Sequence, residues 1–403
     1  MLRVNLYFST ARGVGAAVPP ALTALLATRT AGQSATGASD PVVASAALTS
    51  PSASGGAGTL ARPPPPPLSF LDGDAAGTTV LNVFDDAAYH RTNVSLAGAD
   101  AGALAAAATG LIGAVAPRLS LVGHSGTHPR VGVVDHVSVQ PMKGGGGGAG
   151  GGGAVPPLAA GAGAGDSPAA HGGPAGMAAA RRLAMAIGRA LGADVGLYVL
   201  LYGMTPPGGG GCGGGSGGGG GSARSLASLR RSVGYFTPTH PGGGPRGAAP
   251  LWAGPLPSPP HGGGFPAADF GPPVVDPAVG VVAVGASLPV RNVNVVLSAV
   301  VARLPGGQRP EDGGPVLLTA ARALAAAVRG AGRGGDTAMA GVEAMGLATV
   351  GGGAEVACNV GADADAAALV AALTRLAPTR GVAVVHAYDP GDGGRHVEGE
   401  ARR

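Results

Sequence analysis

The sequence predicts an α+β protein built of two α/β subdomains, each a sheet with helices packed on its outer face. Apolar runs of strand length alternate along the chain with longer Ala- and Leu-rich runs of helical length. In the last third these runs follow the order β–β–α–β–β–α–β, which is typical of a sheet covered by helices on one face. Hydrophobic residues make up 45% of the sequence and charged residues only 12%, so there is enough apolar material for two cores.

Low-complexity segments separate these runs. Glycine and proline account for more than a quarter of the 403 residues, and much of the glycine lies in uninterrupted runs. Such runs bury no apolar surface that would offset the entropy of ordering them. We therefore expect three insertions between structural elements, at 31–77, 143–173 and 208–221.

The first subdomain is predicted to span residues 1–236. Its strands are short runs rich in Val, Leu and aromatic residues, and its helices are longer runs rich in Ala and Leu. Prolines mark helix boundaries, because Pro19 and Pro20 open the first helix and Pro117 ends the second. In chain order we expect a strand at Arg3–Phe8, a helix at Val18–Thr28, strands at Thr79–Phe84 and Thr92–Leu96, a helix at Gly98–Val115, strands at Leu119–Val122 and Val131–Val139, a helix at Pro174–Leu191, a strand at Val195–Tyr202 and a short helix at 223–232 capped by Ser222.

The second subdomain is predicted to span residues 276–390, after a linker dense in Pro and Gly at 237–275. The same strand and helix patterns recur in it at a smaller size. We expect strands at Gly280–Gly285 and Asn292–Leu297, a helix at Val316–Arg329, strands at Gly341–Thr349 and Ala354–Val360, a helix at Asp365–Leu376 and a strand at Gly381–His386. Residues 391–403 are polar and are predicted to be a disordered tail.

Composition argues against nucleic acid and membrane as partners. The formal net charge is +4, but contacts to phosphates and bases would need clustered arginines interleaved with aromatic residues. Aromatic residues are only 3% of the chain, and the glycine runs carry no Arg-Gly-Gly repeat. Those runs also lack the strand–loop–helix context and the GK[ST] ending of a phosphate-binding loop. No apolar run approaches the length of a membrane span.

Cysteine usage suits a reducing compartment. Cys212 and Cys358 provide neither a disulfide framework nor a CxxC metal spacing. The N-terminal residues lack the apolar stretch of a signal peptide. We expect a cytoplasmic protein; an organelle presequence stays open because Arg3 and Arg12 precede the first acidic residue, Asp40.

A cluster of titratable residues stands out between the predicted strands Leu119–Val122 and Val131–Val139. The turn between them contains His124 and His128. Pro129 biases the backbone of His128 toward an extended conformation, so its imidazole is held in one direction. A histidine whose pKa lies near the working pH can accept a proton and return it, which makes His128 a candidate general base.

A metal site is the alternative for this cluster. His124 and His136 lie near His128 in sequence, but their offsets do not place the three on one helix face, and His136 lies well along a strand. We therefore predict no bound metal, and we expect His136 to be a core residue that supports the site.

Seven segments in order resemble the formiminotransferase domain, which forms the N-terminal half of the bifunctional glutamate formiminotransferase–cyclodeaminase and also occurs alone in plant relatives. The resemblance extends from Leu2 to about Tyr388, and we expect a stand-alone transferase without the cyclodeaminase half. The segments are FDDAAYHR at 84–91, GTHPRVGVVDH at 126–136, LYG at 201–203, SLRRSVGYF at 228–236, DFGP at 269–272, GVVAVGA with the following RNVNV, and EVACN at 355–359.

This resemblance implies a one-carbon transferase of histidine catabolism that uses tetrahydrofolate as co-substrate. Its two subdomains would enclose a folate groove, and the formimino group of N-formimino-L-glutamate would move to N5 of tetrahydrofolate. The catalytic histidine of the family falls on His128. The expected partners are these small molecules, with a homodimer left open.

Several further residues are candidates for binding the two anionic substrates. Arginine presents a planar fork to carboxylates, and the resemblance places a folate-contacting stretch around 225–234. Asp85 or Asp86 would orient the imidazole or bind the formimino cation while the other caps the loop, and Asp135 would pair with an arginine. The binding candidates are Asp85, Asp86, Arg91, Arg130, Ser225, Arg230, Arg231 and Gly234.

The sequence departs from the family at two motif positions and by an unusually long insertion between Thr28 and Thr79. The family's opening motif places Glu after Asn-Phe-Ser, whereas this chain has Thr10 after Ser9, and Thr127 stands where an acidic residue often precedes the histidine. These departures leave open a formyl rather than a formimino donor, and also a folate-binding or storage protein without transferase activity. A Gly-rich scaffold that binds RNA is a third reading.

Overall fold

The computed structural model describes residues 1–9, 78–86, 89–142, 173–204, 224–240, 251–257, 264–299, 314–329, 338–349, 352–361, 364–390 and 395–397. These residues form two mixed or antiparallel sheets with helices packed on them, and a short two-stranded ribbon. The predicted α+β class is confirmed.

The elements follow one another along the chain as strands interrupted by helices. The strands are β1 (Leu2–Ser9), β2 (Thr78–Asp86), β3 (Arg91–Gly98), β4 (Ser125–Gly126), β5 (Val134–Pro141), β6 (Tyr198–Tyr202), β7 (Trp252–Ala253), β8 (Val281–Ala286), β9 (Val290–Ala299), β10 (Val342–Ala348), β11 (Ala354–Gly361), β12 (Val382–Asp389) and β13 (Arg395–His396). The α-helices are α1 (Ala101–Val115), α2 (Gly173–Ala190), α3 (Leu226–Ser232), α4 (Gly314–Val328) and α5 (Ala366–Leu376).

The first sheet has the order β2-β3-β1-β5-β8-β6. Strand β1 pairs antiparallel with β3 and β5, whereas β8 pairs in parallel with both β5 and β6. Alternation along β1 separates two faces: Leu2, Val4, Leu6 and Phe8 enter the core beneath α1 and α2, and the residues between them face the other way. That opposite face is polar.

The second sheet has the order β10-β11-β9-β12-β13, and every pair in it is antiparallel. Helices α4 and α5 supply its core with leucines and alanines, which pack against the valines of β9 and β11. Asp365 caps α5 by accepting from the amide of Ala367 (2.8 Å). Asn292, Asn294 and Glu355 alternate with the core valines, so this sheet also has a polar face.

Strand β8 holds the loop that leads into β5. The amide of Val281 donates to Val131 O (2.8 Å), and that of Val133 donates to Val279 O (2.8 Å). A Cβ at Gly132 would lie 2.2 Å from the carbonyl oxygen of Val281, so only glycine allows the two backbones to approach this closely. The loop carrying His128 is therefore fixed to β8 and to the residues just before it.

Two strands predicted around His128 differ from those observed. Leu119–Val122 is not a strand, because it follows a 3-10 turn at Ala116–Arg118, buries Leu121 and leaves Val122 exposed. Strand β5 begins at Val134 rather than at Val131. The reason is Asp135, whose Oδ1 accepts from the amides of Val131 (2.6 Å) and Gly132 (3.0 Å) and holds them in a turn.

The boundary between subdomains also differs from the prediction. Strand β8 was assigned to the second subdomain, but it lies in the first sheet between β5 and β6. Its uniformly apolar sequence predicts a buried strand without indicating which sheet receives it. The predicted linker 237–275 contributes β7, which pairs with β4. The predicted disordered tail contains β13, which pairs with β12 at Tyr388 and Asp389.

Several sequence predictions fall outside the described residues. These are the helix at 18–28, the cap at Ser222 and the insertions 31–77, 143–173 and 208–221, of which only Gly173 is described, as the start of α2. The described cap of α3 is Ser225, which accepts from the amide of Ser228.

One helix corrects the expectation that no apolar run reaches membrane-spanning length. Within the described part of the chain, Ala101–Arg118 is long and apolar enough to cross a membrane by length and composition alone. Its buried residues, among them Leu104, Leu111 and Ile112, belong to the core of the first sheet. It is packed here as a core helix.

Candidate functional site

His128 lies in the loop between β4 and β5, where the loop meets the start of β3 and the end of α3. Its imidazole is partly buried. The ring of Tyr89 packs edge-on against it at 5.1 Å, and that of Tyr235 does so at 6.4 Å. Arg91, the first residue of β3, approaches the nitrogen atoms of the ring. The candidate base is thus enclosed by two aromatic side chains and one cation.

The hydrogen bonds of His128 define its tautomer. Its Nδ1 lies 2.7 Å from the carbonyl oxygen of Pro129, which can only accept, so Nδ1 carries a proton. Arg91 Nη1 lies 3.0 Å from Nδ1 and 3.1 Å from Nε2, and it donates to the lone pair of Nε2. Burial, and then the Arg91 guanidinium, lower the pKa of His128 well below its usual value. The imidazole is therefore neutral at neutral pH with its lone pair on Nε2, and its pKa lies below the value near the working pH that a general base is expected to have, because the ring is buried beside Arg91.

Asp135 fixes Arg91 beside His128. Arg91 Nη2 donates to Asp135 Oδ2 across 2.8 Å, and the Asp135 carboxylate is fully buried. Ser9 Oγ donates to the same oxygen at 3.4 Å. The Arg91 guanidinium also lies 5.6 Å from the centre of the Tyr7 ring. The predicted pairing of Asp135 with an arginine is confirmed, and the partner is Arg91.

The Arg130 side chain is bonded within the protein in this structure. It is buried, its Nε donates to His124 Nδ1 (2.9 Å), and its Nη2 donates to the carbonyl of Gly254. Burial lowers the pKa of Arg130 to about 10 and that of His124 to about 4. Arg130 and His124 therefore hold the histidine loop against the segment that contains β7.

Arg230 and Arg231 leave α3 in different directions. The Arg230 guanidinium lies 4.4 Å from the centre of the Tyr235 ring, and its charge lowers the pKa values of both His128 and His136. Arg231 is exposed. Gly234 has a φ of 75° and reverses the chain after α3, which returns Tyr235 toward His128. Of the predicted stretch 225–234, Arg230 is the side chain brought closest to the site, while Ser225 acts as a helix cap.

His136 lies on the polar face of the first sheet. Its ring stacks on Tyr7 at 5.3 Å, and its Nε2 shares a hydrogen bond with the Tyr202 hydroxyl (2.6 Å). Burial lowers its pKa well below the usual value. This matches the expectation of a core residue that supports the site. The polar face continues with Arg3, Asn5, Asn93, Ser95, Ser138 and Gln140.

Asp85 and Asp86 lie at the end of β2 rather than against the imidazole. Asp85 accepts from Thr92 Oγ1 (3.2 Å), and the backbone carbonyl of Asp86 accepts from the amide of Tyr89 (3.2 Å). The Asp86 charge raises the pKa of Glu355, a buried carboxyl on β11 in the second sheet. The carboxylate connected to His128 is that of Asp135, through Arg91.

Four buried polar atoms around this loop have no hydrogen-bond partner of regular geometry among the described residues. They are Tyr89 Oη, Arg91 Nε, His124 Nε2 and Thr127 Oγ1. Buried polar atoms in native proteins are normally paired with protein, water or ligand. Two of the four atoms belong to Tyr89 and Arg91, which both contact the His128 ring.

Sequence reasoning missed the two tyrosines that enclose His128. Tyr89 and Tyr235 occur inside segments singled out above, FDDAAYHR and SLRRSVGYF. Aromatic residues are only 3% of this chain. Two tyrosines close in sequence to candidate site residues could therefore have been predicted to line the site. Among the described residues, no three His, Cys, Asp or Glu side chains gather as a metal site would require.

Comparison with known families identifies the part of the chain that carries this site. Residues 72–147 match the family described as the formiminotransferase domain, N-terminal subdomain. This segment of the chain is similar to the formiminotransferase domain. The matched segment includes His128, Arg91, Arg130 and Asp135, together with the loop that carries His128 and strands β3 and β5. Curated proteins gave no significant match.

The matched domain indicates a general class of chemistry. A formiminotransferase domain indicates a transferase with a folate-related function. The geometry agrees with that class, because a neutral histidine lies among arginines and a polar sheet face.

Proposed function

We propose that this protein moves a formimino or formyl group between a glutamate derivative and N5 of tetrahydrofolate. The single observation that supports this most is the state of His128, which is neutral, protonated on Nδ1 and basic at Nε2. The cations around it suit two anionic substrates, because Arg91 and Arg230 outweigh the one buried carboxylate, Asp135.

The proposed reaction follows from the atoms that change partners. N5 of tetrahydrofolate attacks the formimino carbon, and the new C–N bond forms as the carbon becomes tetrahedral. His128 Nε2 accepts the proton that N5 loses and gives it to the departing glutamate nitrogen as the old C–N bond breaks. No redox partner is needed. Holding both substrates between the polar faces of the two sheets would supply the proximity.

Arg91 is the residue whose role changes when substrate binds in this proposal. In the structure it donates to His128 Nε2, the atom that must accept the proton. A substrate carboxylate competes for that guanidinium, since a charge-assisted pair is stronger than a donor–imidazole contact. Binding of the anionic substrate would then free Nε2 and raise the basicity of His128.

The test is a direct assay with tetrahydrofolate and N-formimino-L-glutamate, measuring released glutamate and 5-formiminotetrahydrofolate. We expect His128→Asn to lower kcat by about 100-fold or more, the usual loss when a general base is removed. His240→Asn is the control, because His240 is exposed and makes none of the contacts described for His128. Wild-type turnover by His128→Asn would show that the assignment of the base is wrong.

A folate-binding or storage protein without turnover is the second candidate. Two observations favour it: Thr10 replaces the family's Glu after Ser9, and Arg91 occupies the lone pair of His128. Calorimetry with 5-formyltetrahydrofolate, run beside the activity assay, separates the two. Tight binding without glutamate release would favour storage, whereas turnover would favour the transferase.

A further inference from the structure

Asp135 connects β5 to two other segments of the site. It is the second residue of β5, and its side chain is fully buried. Its Oδ1 accepts from the amides of Val131 (2.6 Å) and Gly132 (3.0 Å), in the loop that carries His128. Its Oδ2 accepts from Arg91 Nη2 (2.8 Å) at the start of β3. The two oxygen atoms of one carboxylate therefore bind two different parts of the site.

The position of Arg91 depends on this carboxylate. Asp135 is the anionic partner of Arg91 among the described residues, and Arg91 Nε is buried with no hydrogen-bond partner among them. The guanidinium is planar and rigid, so the bond at Nη2 determines where Nη1 lies. Nη1 in turn lies 3.0 Å from His128 Nδ1 and 3.1 Å from His128 Nε2.

The His128 ring is consequently held by Asp135 along two routes. On one, Oδ1 fixes the loop at Val131, two residues after Pro129, whose carbonyl accepts from His128 Nδ1 (2.7 Å). On the other, Oδ2 fixes Arg91, which donates to His128 Nε2. Both routes end at nitrogen atoms of the imidazole, and each consists of hydrogen bonds between named atoms.

The charge of Asp135 keeps Arg91 in its role as a donor. Burial disfavours the charged guanidinium, but the Asp135 charge opposes this effect, and the pKa of Arg91 lies above its usual value. A charged guanidinium has donors and no acceptor. Arg91 can therefore donate to Nε2 and cannot accept a proton from it, which leaves Nε2 as the unprotonated nitrogen of His128.

We propose that Asp135 is a positioning residue for His128, acting on the histidine loop through Oδ1 and on Arg91 through Oδ2. Asp135 would thus set the orientation of the imidazole without bonding to it. The effect of Asp135 on turnover rests on the proposed function, whereas its effect on the imidazole does not.

The substitution Asp135→Asn separates the two routes. Asparagine keeps one side-chain oxygen, which can still accept from the amides of Val131 and Gly132. Its amino group would then face Arg91 Nη2, and two donors form no hydrogen bond. The opposite orientation would place the amino group against two backbone donors instead of one. We therefore expect the loop to stay bound while Arg91 is released.

Nitrogen NMR of the His128 ring detects this release. The protein is labelled at histidine, and the His128 signals are assigned from their loss in His128→Asn. In the unmodified chain we expect a protonated Nδ1 and an Nε2 that accepts a hydrogen bond. Asp135→Asn should move the Nε2 signal toward that of an acceptor without a donor, in the same direction as Arg91→Gln does. An unchanged Nε2 signal in Asp135→Asn would overturn the proposal.

The matched control is Asp100→Asn. Asp100 also accepts from two backbone amides, those of Gly102 (2.7 Å) and Ala103 (3.1 Å), but it forms no ion pair with an arginine among the described residues. It should leave the His128 signals in place. A shift as large as that of Asp135→Asn would show that the signals report a general change in the protein, and would overturn the proposal.

The double variant Arg91→Gln/Asp135→Asn tests the route through Arg91. Removal of both charges leaves no buried charge without its partner, so this variant should fold even if Asp135→Asn does not. Since asparagine keeps the bonds to the loop amides, the Nε2 signal should match that of Arg91→Gln alone. A further shift would show that Asp135 acts on His128 by another route, and would overturn the proposal.

Turnover provides the second measurement. With the substrates above, Asp135→Asn should lower kcat by about 10-fold to 100-fold, because misplacement of a reacting group by about 1 Å costs on the order of 100-fold in rate. In the Arg91→Gln background the same substitution should cause no further loss, whereas additive losses would mean independent roles and would contradict positioning through Arg91. If no turnover occurs in the unmodified protein, the proposed function fails, while the NMR result still decides the positioning of His128.

Discussion

At the scale of single residues, burial is the dominant influence on the candidate site. His124, His128 and His136 are all kept neutral by it, and none has a carboxylate as its direct hydrogen-bond partner in the described structure. The one buried carboxylate nearby, Asp135, is fully used by Arg91, Ser9 and two backbone amides. The histidines therefore face cations and neutral donors, and proton binding to them is disfavoured.

This arrangement predicts a loss of stability in mild acid. His124 has a pKa of about 4 in the folded chain against 6.5 when unfolded, so its contribution is complete above pH 6.5 and is lost as pH falls toward 4. Between pH 7 and pH 5 the free energy of unfolding should fall by about 2 kcal/mol from this residue. Urea unfolding at both pH values measures it.

The variant that isolates this contribution is His124→Asn. Asparagine can place its Oδ1 where His124 Nδ1 accepts from Arg130 Nε, so the hydrogen bond is retained while the titration is lost. The decrease between pH 7 and pH 5 should be smaller in this variant than in the unmodified chain or in His240→Asn. Equal decreases in all three would contradict the role of His124.

At the scale of elements, the short helix α3 places its two adjacent arginines in different surroundings. Successive residues of a helix point about 100° apart, which places Arg230 over Tyr235 and leaves Arg231 in solvent. The turn at Gly234 then brings Tyr235 back to His128. The end of α3 and the turn after it thus place a cation, Arg230, and an aromatic ring, Tyr235, beside each other at the site.

We predict that Arg230→Gln raises KM for at least one anionic substrate by about 10-fold, the typical loss of one charge-assisted hydrogen bond. Arg231→Gln should leave KM within twofold, because that side chain is exposed. Steady-state kinetics with each substrate varied in turn compares them. Equal effects of the two substitutions would argue for a general electrostatic field rather than a specific contact.

The loop before β5 gives a second prediction at this scale. Gly132→Ala would bring a methyl group to 2.2 Å from the carbonyl oxygen of Val281, so the loop must separate from β8. We expect the free energy of unfolding to fall by about 1–3 kcal/mol, together with loss of activity as His128 moves. Gly123→Ala is the control, since a Cβ there meets nothing within 4 Å. If both variants matched the unmodified protein in denaturation and turnover, the loop would not depend on this close approach.

At the scale of the whole molecule, hydrogen bonds join the two described segments that flank the glycine run 208–221. Gly203 N donates to Arg224 O (2.9 Å), and Arg224 Nε donates to Leu201 O (3.0 Å). Arg224 also forms an ion pair with Asp269 (2.6 Å). Strand β6 and helix α3 are therefore joined directly at the two ends of the segment between them.

Replacing 208–221 by a short Gly-Ser linker should leave Tm within a few degrees of the unmodified value. The ends are already held together, and the closure entropy of a loop changes only slowly with its length. Thermal unfolding and folate affinity are the measurements. Arg224→Ala is the comparison variant, because it removes the side-chain bonds to Leu201 and Asp269 and should lower Tm. A large loss of affinity on shortening alone would show that the run contributes to binding.

Much of the fold and the centre of the site follow from local sequence. The alternation in β1, the Ala-rich run of α1 and the apolar runs of β9 to β12 were placed within a few residues, because each buries its own apolar stripe. The turn before Pro129 identifies His128 as a candidate base, and the segment FDDAAYHR identifies Arg91 as a candidate binding residue. Strand β8 was assigned to the wrong subdomain because a uniformly apolar strand carries no information about its neighbours.

The sequence by itself determined the α+β class, the elements and the identity of the candidate base, since these depend on periodicity and on residues close together in the chain. Only the tertiary structure decided which groups surround that base. Tyr89 and Arg91 come from the turn before β3 and its first residue, Asp135 from β5 and Tyr235 from the turn after α3. Their effects act through space over a few ångströms, a distance that sequence separation does not encode, so the neutral state of His128 emerges only when these segments come together.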